Sequence, residues 1–448
     1  MKEQDLLLKI KRLLIVVEKQ SEEIHLLKQE IVFLKEEIII LKKGKNSTNS
    51  SKPPSSDINI KRSLRKPGEK RSGGQAGHEG HTLEISAVPD RIIKHQACFC
   101  RNCGNDLEKI ASRLLEKRQV IDLPPCIPIY SEHQIFAKKC SCGHDNEASF
   151  PQHLKASIQY GPSIEALIAY LSVRQYMSYN RIAEYLRHAY NLPISEGTIA
   201  NILTRLASKA ALPYEKLKAN LLASAVVGSD ETGAKVNGTK AWIHTWQDKL
   251  NTYIICNPSR GSKAVKSEFP NGFPNSILVS DAWAAQLKTP ARGHQLCLAH
   301  LQRELKHFTQ DLKNLWSEKI YELFKDSLKV QRNNQYGLEI RNAFQIKLEV
   351  LLSEDIVLPG KINAFRKRLI KNKDSLFKFL LDPQIPSDNN ASERAIRNIK
   401  VKQKVSGQFK SWQGANCFAI IRSIIDTIIK RGLDVFEGLV EIAKFCPE

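Results

Sequence analysis

Two short apolar runs that each stop on a carboxylate constrain this chain more than any other feature. They are Ala225-Val226-Val227-Gly228-Ser229-Asp230-Glu231-Thr232 and Ser276-Ile277-Leu278-Val279-Ser280-Asp281. Unbroken apolar runs of this length read as strands buried on both faces. Between them, residues 240–247 alternate, with Trp242, His244 and Trp246 on one side and Ala241, Ile243 and Thr245 on the other. A third strand is expected at 252–256 and a helix at 262–269; a brief strand at 295–298 then leads into a helix carrying His300, Arg303 and Glu304.

This succession of strands and helices is the element order of a ribonuclease-H-like α/β core. If the strands ending in Asp230 and Asp281 are neighbours, their carboxylates meet at one sheet edge, about 5 Å apart. Two such anions repel, which raises the pKa of at least one unless a cation lies between them; Mg2+, a hard oxygen-binding ion, suits that position. A third carboxylate is expected from a later helix. Residues 361–381 read as a helix, and the loop Pro386-Ser387-Asp388-Asn389-Asn390 offers N-caps for another that carries Glu393, Arg394, Arg397 and Lys400. Glu393, Arg397 and Lys400 share one face of it. Taken singly, each Asp reads as a strand-end turn residue and Glu393 as an i, i+4 partner of Arg397. It is their joint placement that points to metal chemistry.

The first 41 residues follow a different rule. Leu6, Ile10, Leu13, Val17, Gln20, Ile24, Leu27, Ile31, Leu34, Ile38 and Leu41 are spaced alternately four and three apart. With β-branched residues at a and Leu at d, this heptad pattern predicts a parallel dimeric coiled coil. A polar, Pro-containing tract follows and reads as a linker; it includes Lys61, Arg62, Arg65 and Lys66 and a Gly-rich stretch at 73–80. The chain has 68 Lys+Arg against 47 Asp+Glu, a formal net charge of +21. That excess points to a polyanion, nucleic acid above all, and the basic linker suits a phosphate backbone. With 42% hydrophobic residues, wholesale disorder is excluded. No membrane span and no signal peptide are legible, so a cytoplasmic protein is expected.

Ten cysteines in a reducing compartment favour metal binding or burial over disulfides. Six fall from Cys98 to Cys142, and Cys100, Cys103, Cys140 and Cys142 form two tight pairs, each with Gly just past the second Cys. They suit a structural, tetrahedral Zn2+, with Cys98 or His144 able to substitute for a ligand. Cys140-x-Cys142 is one residue shorter than the usual C-x2-C knuckle. Residues 119–130 and 133–139 read as strands of a zinc-ribbon-like module. Beyond it, patterns at 164–173, 180–189 and after Ser195 read as three helices resembling a helix-turn-helix.

The expected fold class is therefore multidomain α+β: coiled coil, small zinc-ribbon-like module, helical DNA-binding segment, and ribonuclease-H-like α/β catalytic core with a helical insertion. The expected boundaries are 1–45 for the coiled-coil dimerisation helix, 46–90 for the basic linker and 91–155 for the zinc module. The helical segment is placed at 160–212, the core at 220–410 with its insertion at about 301–381, and C-terminal helices at 411–448.

Several separated motifs resemble one family. Asn49-Ser50-Ser51-Lys52-Pro53-Pro54-Ser55-Ser56-Asp57, Gly74-Gln75-Ala76-Gly77-His78-Glu79-Gly80, Asp230-Glu231-Thr232, Cys297-Leu298-Ala299-His300 and Asp388-Asn389-Asn390-Ala391-Ser392-Glu393-Arg394-Ala395-Ile396-Arg397 look like the transposase of IS66-type bacterial insertion sequences. The resemblance implies that Asp230, Asp281 and Glu393 are a DDE triad, spaced 51 and 112 residues apart, that holds catalytic Mg2+ or Mn2+. It implies cleavage at the terminal inverted repeats and transfer of the freed 3′-OH into target DNA, by a homodimer aided by accessory proteins of the same element. Arg303, Arg394, Arg397 and Lys400, with Lys61, Arg62, Arg65 and Lys66, are the expected DNA contacts. The sequence departs from the family in having Gln302 before Arg303, where an Arg pair is usual. His78, His81, His294 and His300 read as surface, packing or DNA-contact residues, since metal-activated water needs no imidazole. Two other readings share these features: a dimeric zinc-containing DNA-binding regulator with an inactive core, and a ribonuclease-H-like nuclease.

Overall fold

The computed structural model describes residues 84–445 except 125, together with residues 14, 16–24, 26–28, 30, 31 and 34. The heptad positions before Leu14 and after Leu34, the basic linker with Lys61, Arg62, Arg65 and Lys66, and His78 and His81 lie outside the described residues. The chain divides into two units, residues 42–126 and residues 1–41 with 127–448.

The described leading residues are helical, and the heptad positions Val17, Ile24, Leu27 and Ile31 are 50–59% exposed. In the smaller unit the chain folds back at Cys98–Gly104. The Cys100 N–H donates to the Asn105 carbonyl (2.8 Å) and the Gly104 N–H to the Cys100 carbonyl (2.9 Å), with Gly104 at φ +76°. A β-carbon would be strained in that backbone, which is why glycine closes the turn.

In the larger unit the second cysteine pair repeats this construction. Strands β1 (Ala137–Lys139) and β2 (Asp145–Glu147) pair antiparallel around Cys140–Gly143, with Gly143 at φ +89°. Among the described residues of 119–130 there is no strand, and Val120, Ile121, Leu123 and Ile129 are 76–93% exposed. No strand among the described residues pairs with this stretch.

Helices α1 (Pro162–Ala169, extended by a π-turn to Arg174), α2 (Tyr179–Tyr190), α3 (Glu196–Lys209) and α4 (Ala211–Ala223) follow. Asn191, in the left-handed conformation at φ 50°, ends α2, and Ser195 caps α3 by accepting from the Thr198 N–H. Ile168, Ile182, Leu186, Ile199, Ile202 and Leu206 form their common core.

Five strands make the central sheet: β3 (Val226–Val236), β4 (Thr239–Gln247), β5 (Thr252–Asn257), β6 (Phe273–Ser280) and β7 (Ala291–Leu296), in the order β5-β4-β3-β6-β7. β3, β4 and β5 form an antiparallel meander, whereas β6 and β7 run parallel to β3. Helix α5 (Ser262–Glu268) provides the crossover from β5 to β6, and the short α6 (Ala284–Leu287) lies between β6 and β7. One sheet face buries Trp246, Tyr253, Phe269 and Phe273 against α4. The edge strand β5 is capped by α12 (Trp412–Lys430): the Ile254 N–H donates to Ser423 Oγ (2.9 Å) and the Thr252 N–H to Thr427 Oγ1 (3.1 Å). Covering edge N–H groups with hydroxyls closes the sheet to further pairing. Helix α13 (Val435–Lys444) completes this part.

Between β7 and the last acidic helix lie α7 (Leu298–Gln310), α8 (Leu315–Arg332), α9 (Leu338–Ser353) and α10 (Gly360–Lys371), which share their own core of Trp316, Phe324, Phe344, Phe365 and Phe377. The helix expected over 361–381 stops at Lys371 and gives way to two 3-10 turns. Leu376, Phe377, Phe379 and Leu380 are all buried there. The Gln295 side chain takes over part of the backbone there, donating to the Leu376 carbonyl (3.0 Å) and accepting from the Phe379 N–H (3.1 Å).

Candidate carboxylate site

The parallel pairing of β3 with β6 ends at Gly228 opposite Val279. Two residues further along each strand are Asp230 and Asp281. Helix α11 (Asn390–Ser406) brings Glu393 in its first turn, and the loop ahead of it is tied to β3. Asn389 Nδ2 donates to the Ser229 carbonyl (2.7 Å), and Gln247 Nε2 to Ser392 Oγ (3.3 Å). Gly228 makes this approach possible: a β-carbon there would lie 2.5 Å from Gln247 Nε2 and 2.7 Å from Ser392 Oγ.

His300, on the first turn of α7, stands between two of the carboxylates. Its Nδ1 is 3.0 Å from Asp281 Oδ1, and its Nε2 is 3.7 Å from Glu393 Oε1. Nδ1 lies off the line of a hydrogen bond to Asp281, and both Asp281 Oδ1 and Glu393 Oε1 are buried oxygens without a hydrogen-bond partner. Nδ1 also lies 3.4 Å from Cys297 Sγ, and that sulfur accepts the Asn389 N–H (3.2 Å). Cys297 thus links the strand end, the imidazole and the loop that leads to Glu393.

The electrostatics follow from this crowding of acids. Asp230 is pushed up to about 7, first by burial and then by the Asp281 carboxylate, against a hydrogen bond from the Glu231 N–H that favours ionisation. The sequence attributes such a rise to charge repulsion; here desolvation is the larger cause. The neighbouring Asp281 carboxylate and Cys297 sulfur raise His300 to about 10, so it is an imidazolium at neutral pH. Two buried carboxylate oxygens without a hydrogen-bond partner and a third acid held partly protonated form an oxygen donor set that fits a hard divalent ion, whose charge would replace that of the imidazolium. Glu393 also keeps its helix partner, with Oε2 3.7 Å from Arg397.

Arg303, Arg394, Arg397 and Lys400 are exposed, the last three on α11. Reading His300 as a packing or DNA contact misses its place beside Asp281; its spacing three residues after Cys297, on one helical turn, is the signal that could have revealed it. His294 is half-buried on β7. The sequence also gave no sign of Arg260, whose guanidinium stacks over Trp283 (3.8 Å) and Trp242 (4.7 Å) and bonds to Glu231 (3.0 Å). Among the zinc candidates, main-chain N–H groups of Asn102 and Cys103 lower the Cys100 thiol, and the Cys142 N–H lowers Cys140. Among the described residues, no helix is long and apolar enough to cross a membrane.

Residues 157–417, more than half of the chain, match the family model described as "Transposase IS66 family". Residues 9–84 match a second model, DUF6444, a family of unknown function. The chain is similar to the uncharacterized protein y4jD of Sinorhizobium fredii (strain NBRC 101917 / NGR234), with 22% identity over 393 residues, covering 79% of this chain and 75% of that protein. With a match that spans the helical segment, the sheet and the acidic helix, the chain belongs to the IS66 family of transposases.

Proposed function

We propose that this chain is a DDE transposase with a ribonuclease-H-like core, which cuts DNA at the ends of an insertion sequence and joins the freed 3′ ends to target DNA. The observation that carries the reading is the meeting of an aspartate within β3 and another just past the end of β6 with a helix-borne glutamate whose buried oxygen, like that of Asp281, has no hydrogen-bond partner. Asp230, Asp281 and Glu393 would hold Mg2+ or Mn2+. Such ions, when bound, supply an activated water and offset the charge that develops on the leaving 3′ oxygen.

The chain's own residues do the rest. Asp230, with a pKa near 7, accepts or releases a proton around neutral pH, and a cation beside it favours the anion. Exposed Arg394, Arg397 and Lys400 project from the helix that carries Glu393 and bind phosphates of the same strand. Arg303, the basic linker and the α2–α3 pair hold flanking duplex, the linker by counterion release. The heptads join two chains so that two symmetric ends each meet one site. Each cysteine pair, Cys100 with Cys103 and Cys140 with Cys142, has main-chain N–H groups aimed at its first sulfur, which favour the thiolates that Zn2+ needs.

The test is nicking and strand transfer on DNA bearing the element's ends, with Asp230→Asn, Asp281→Asn and Glu393→Gln. Each variant is expected to bind ends and to lose chemistry by several orders of magnitude. Substantial cutting by any one of them removes that residue from the triad. Cutting without joining identifies a nuclease, and end binding with neither activity identifies a regulator.

A further inference from the structure

Cys297, His300 and Asp281 bring a sulfur, an imidazole nitrogen and a carboxylate oxygen together at the rim of the carboxylate cluster, all within 4.8 Å of one another. We propose that they form a second cation site, selective for a soft divalent ion such as Zn2+, whose occupation inhibits the magnesium-dependent chemistry by drawing Asp281 away from it. The inhibitory part of this inference rests on the function proposed above; the binding part does not.

The ligand spacing suits a tetrahedral ion once that ion displaces the protons on His300 Nδ1 and Cys297 Sγ, which leave to solvent. With Zn–N bonds of about 2.0–2.1 Å and a Zn–S bond of about 2.3 Å, tetrahedral angles separate N from S by about 3.6 Å and N from a carboxylate O by about 3.3 Å. The observed separations are 3.4 Å from His300 Nδ1 to Cys297 Sγ and 3.0 Å to Asp281 Oδ1. These two separations are within a few tenths of an ångström of the tetrahedral values, and the third, from Cys297 Sγ to the Asp281 carboxylate, is within 4.8 Å.

Three further features point to a metal-binding site rather than to a chance cluster. The Asn389 N–H donates to Cys297 Sγ (3.2 Å), which fixes the sulfur beside the imidazole. Asp281 Oδ1 is buried with its hydrogen-bonding capacity unspent. On the far side of the ring, His300 Nε2 faces Glu393 Oε1 at 3.7 Å, the carboxylate behind a histidine that orients and strengthens imidazole ligands. Glu393 would then brace the ligand histidine, so a soft ion at this point would involve two of the three acids at once.

Cys297 itself is 1% exposed, but the site opens onto a cavity of about 240 Å³ lined by Arg260, Asp281, Trp283, His300, Glu304 and Arg368, through which an ion can enter. Three protein ligands leave a fourth position for water or a DNA phosphate oxygen. Thiolate and imidazole favour Zn2+, Co2+ or Cd2+ over Mg2+, so the two sites select different ions while competing for Asp281.

The test uses the full chain, first stripped of metal with a chelator and given one equivalent of zinc, which the paired cysteines with more thiolates take first, then titrated with Co2+ in Mg2+ buffer. The wild type is expected to take up one further equivalent and to develop a thiolate-to-cobalt charge-transfer band that Cys297→Ser lacks and His300→Ala weakens at least tenfold in affinity. In cleavage assays, each measured against its own zinc-free rate, Cys297→Ser should need at least tenfold more Zn2+ for half-inhibition. A wild type that gains no thiolate-bound cobalt, or one that matches Cys297→Ser, overturns the site, and the wild-type spectrum decides even if a variant fails to fold. Cobalt uptake in a protein that cuts no DNA keeps the site and refutes the transposase reading; uptake without a shift in zinc inhibition refutes the inhibitory role.

Discussion

Replacing Asp230 by Asn should stabilise the protein in magnesium-free buffer, by an amount that grows with pH. The carboxyl has an ordinary value of 3.8 and is pushed up to about 7 in the fold. Between those values the folded chain binds more protons than the unfolded one, so wild-type stability falls as pH rises and levels off above about pH 7. Asparagine has no charge to bury and can keep the hydrogen bond from the Glu231 N–H, 2.8 Å from Asp230 Oδ1. Each unit of pH in that window corresponds to about 1.4 kcal/mol, so the advantage of Asp230→Asn should increase by about 2–3 kcal/mol from pH 5 to pH 7. Urea denaturation of both proteins at a series of pH values reads this directly. Adding Mg2+ at pH 8 should recover the loss in the wild type and leave the variant unchanged. An advantage that stays flat with pH, or a variant less stable throughout, would refute the account of Asp230 as a buried acid awaiting a cation.

Gly228→Ala should force α11 off β3, because its β-carbon meets Gln247 and Ser392; we expect a loss of about 1–3 kcal/mol in stability and a larger proportional loss of DNA cleavage, measured side by side. Asp426→Ala leaves the Arg422 guanidinium, 0% exposed and otherwise held by the Tyr176 hydroxyl at 3.0 Å, without a counterion. That should cost about 3–5 kcal/mol in chemical denaturation, and a cost below about 1 kcal/mol would show the pair to be dispensable. Ile24→Lys places a charge on the exposed heptad seam and should convert a dimer to a monomer in sedimentation equilibrium, while an unchanged mass would place the dimer contact elsewhere.

The sheet was legible because its signals are local. Unbroken apolar runs at 226–229 and 276–280 and the alternation at 240–247 identify the strands, and the change to helical period identifies the crossovers. Asp281, just past the end of β6, and Glu393, in the first turn of α11, stand at places that local signals predict, whereas β3 runs on past Asp230 to Val236 because the polar residues after it still pair with β4. The stretch at 119–130 misled because alternation states only that a strand could form, while a ladder needs a neighbour that sequence does not name. The 3-10 turns before Asp382 escaped because they depend on Gln295, more than 80 residues earlier, bonding to their backbone. His300 was misjudged for a related reason: that a metal site needs no imidazole says nothing of what stands beside the carboxylates. Its role depends on Cys297 and Asp281 converging through three separate elements.

The central claim is that three acids from distant parts of the chain jointly hold divalent ions. Mn2+ binding measured by electron paramagnetic resonance, with DNA ends present, tests it most directly. The account predicts that Glu393→Gln weakens Mn2+ binding at least tenfold, as Asp230→Asn and Asp281→Asn do. A Glu393→Gln protein that binds Mn2+ as tightly and in the same number as the wild type would contradict it.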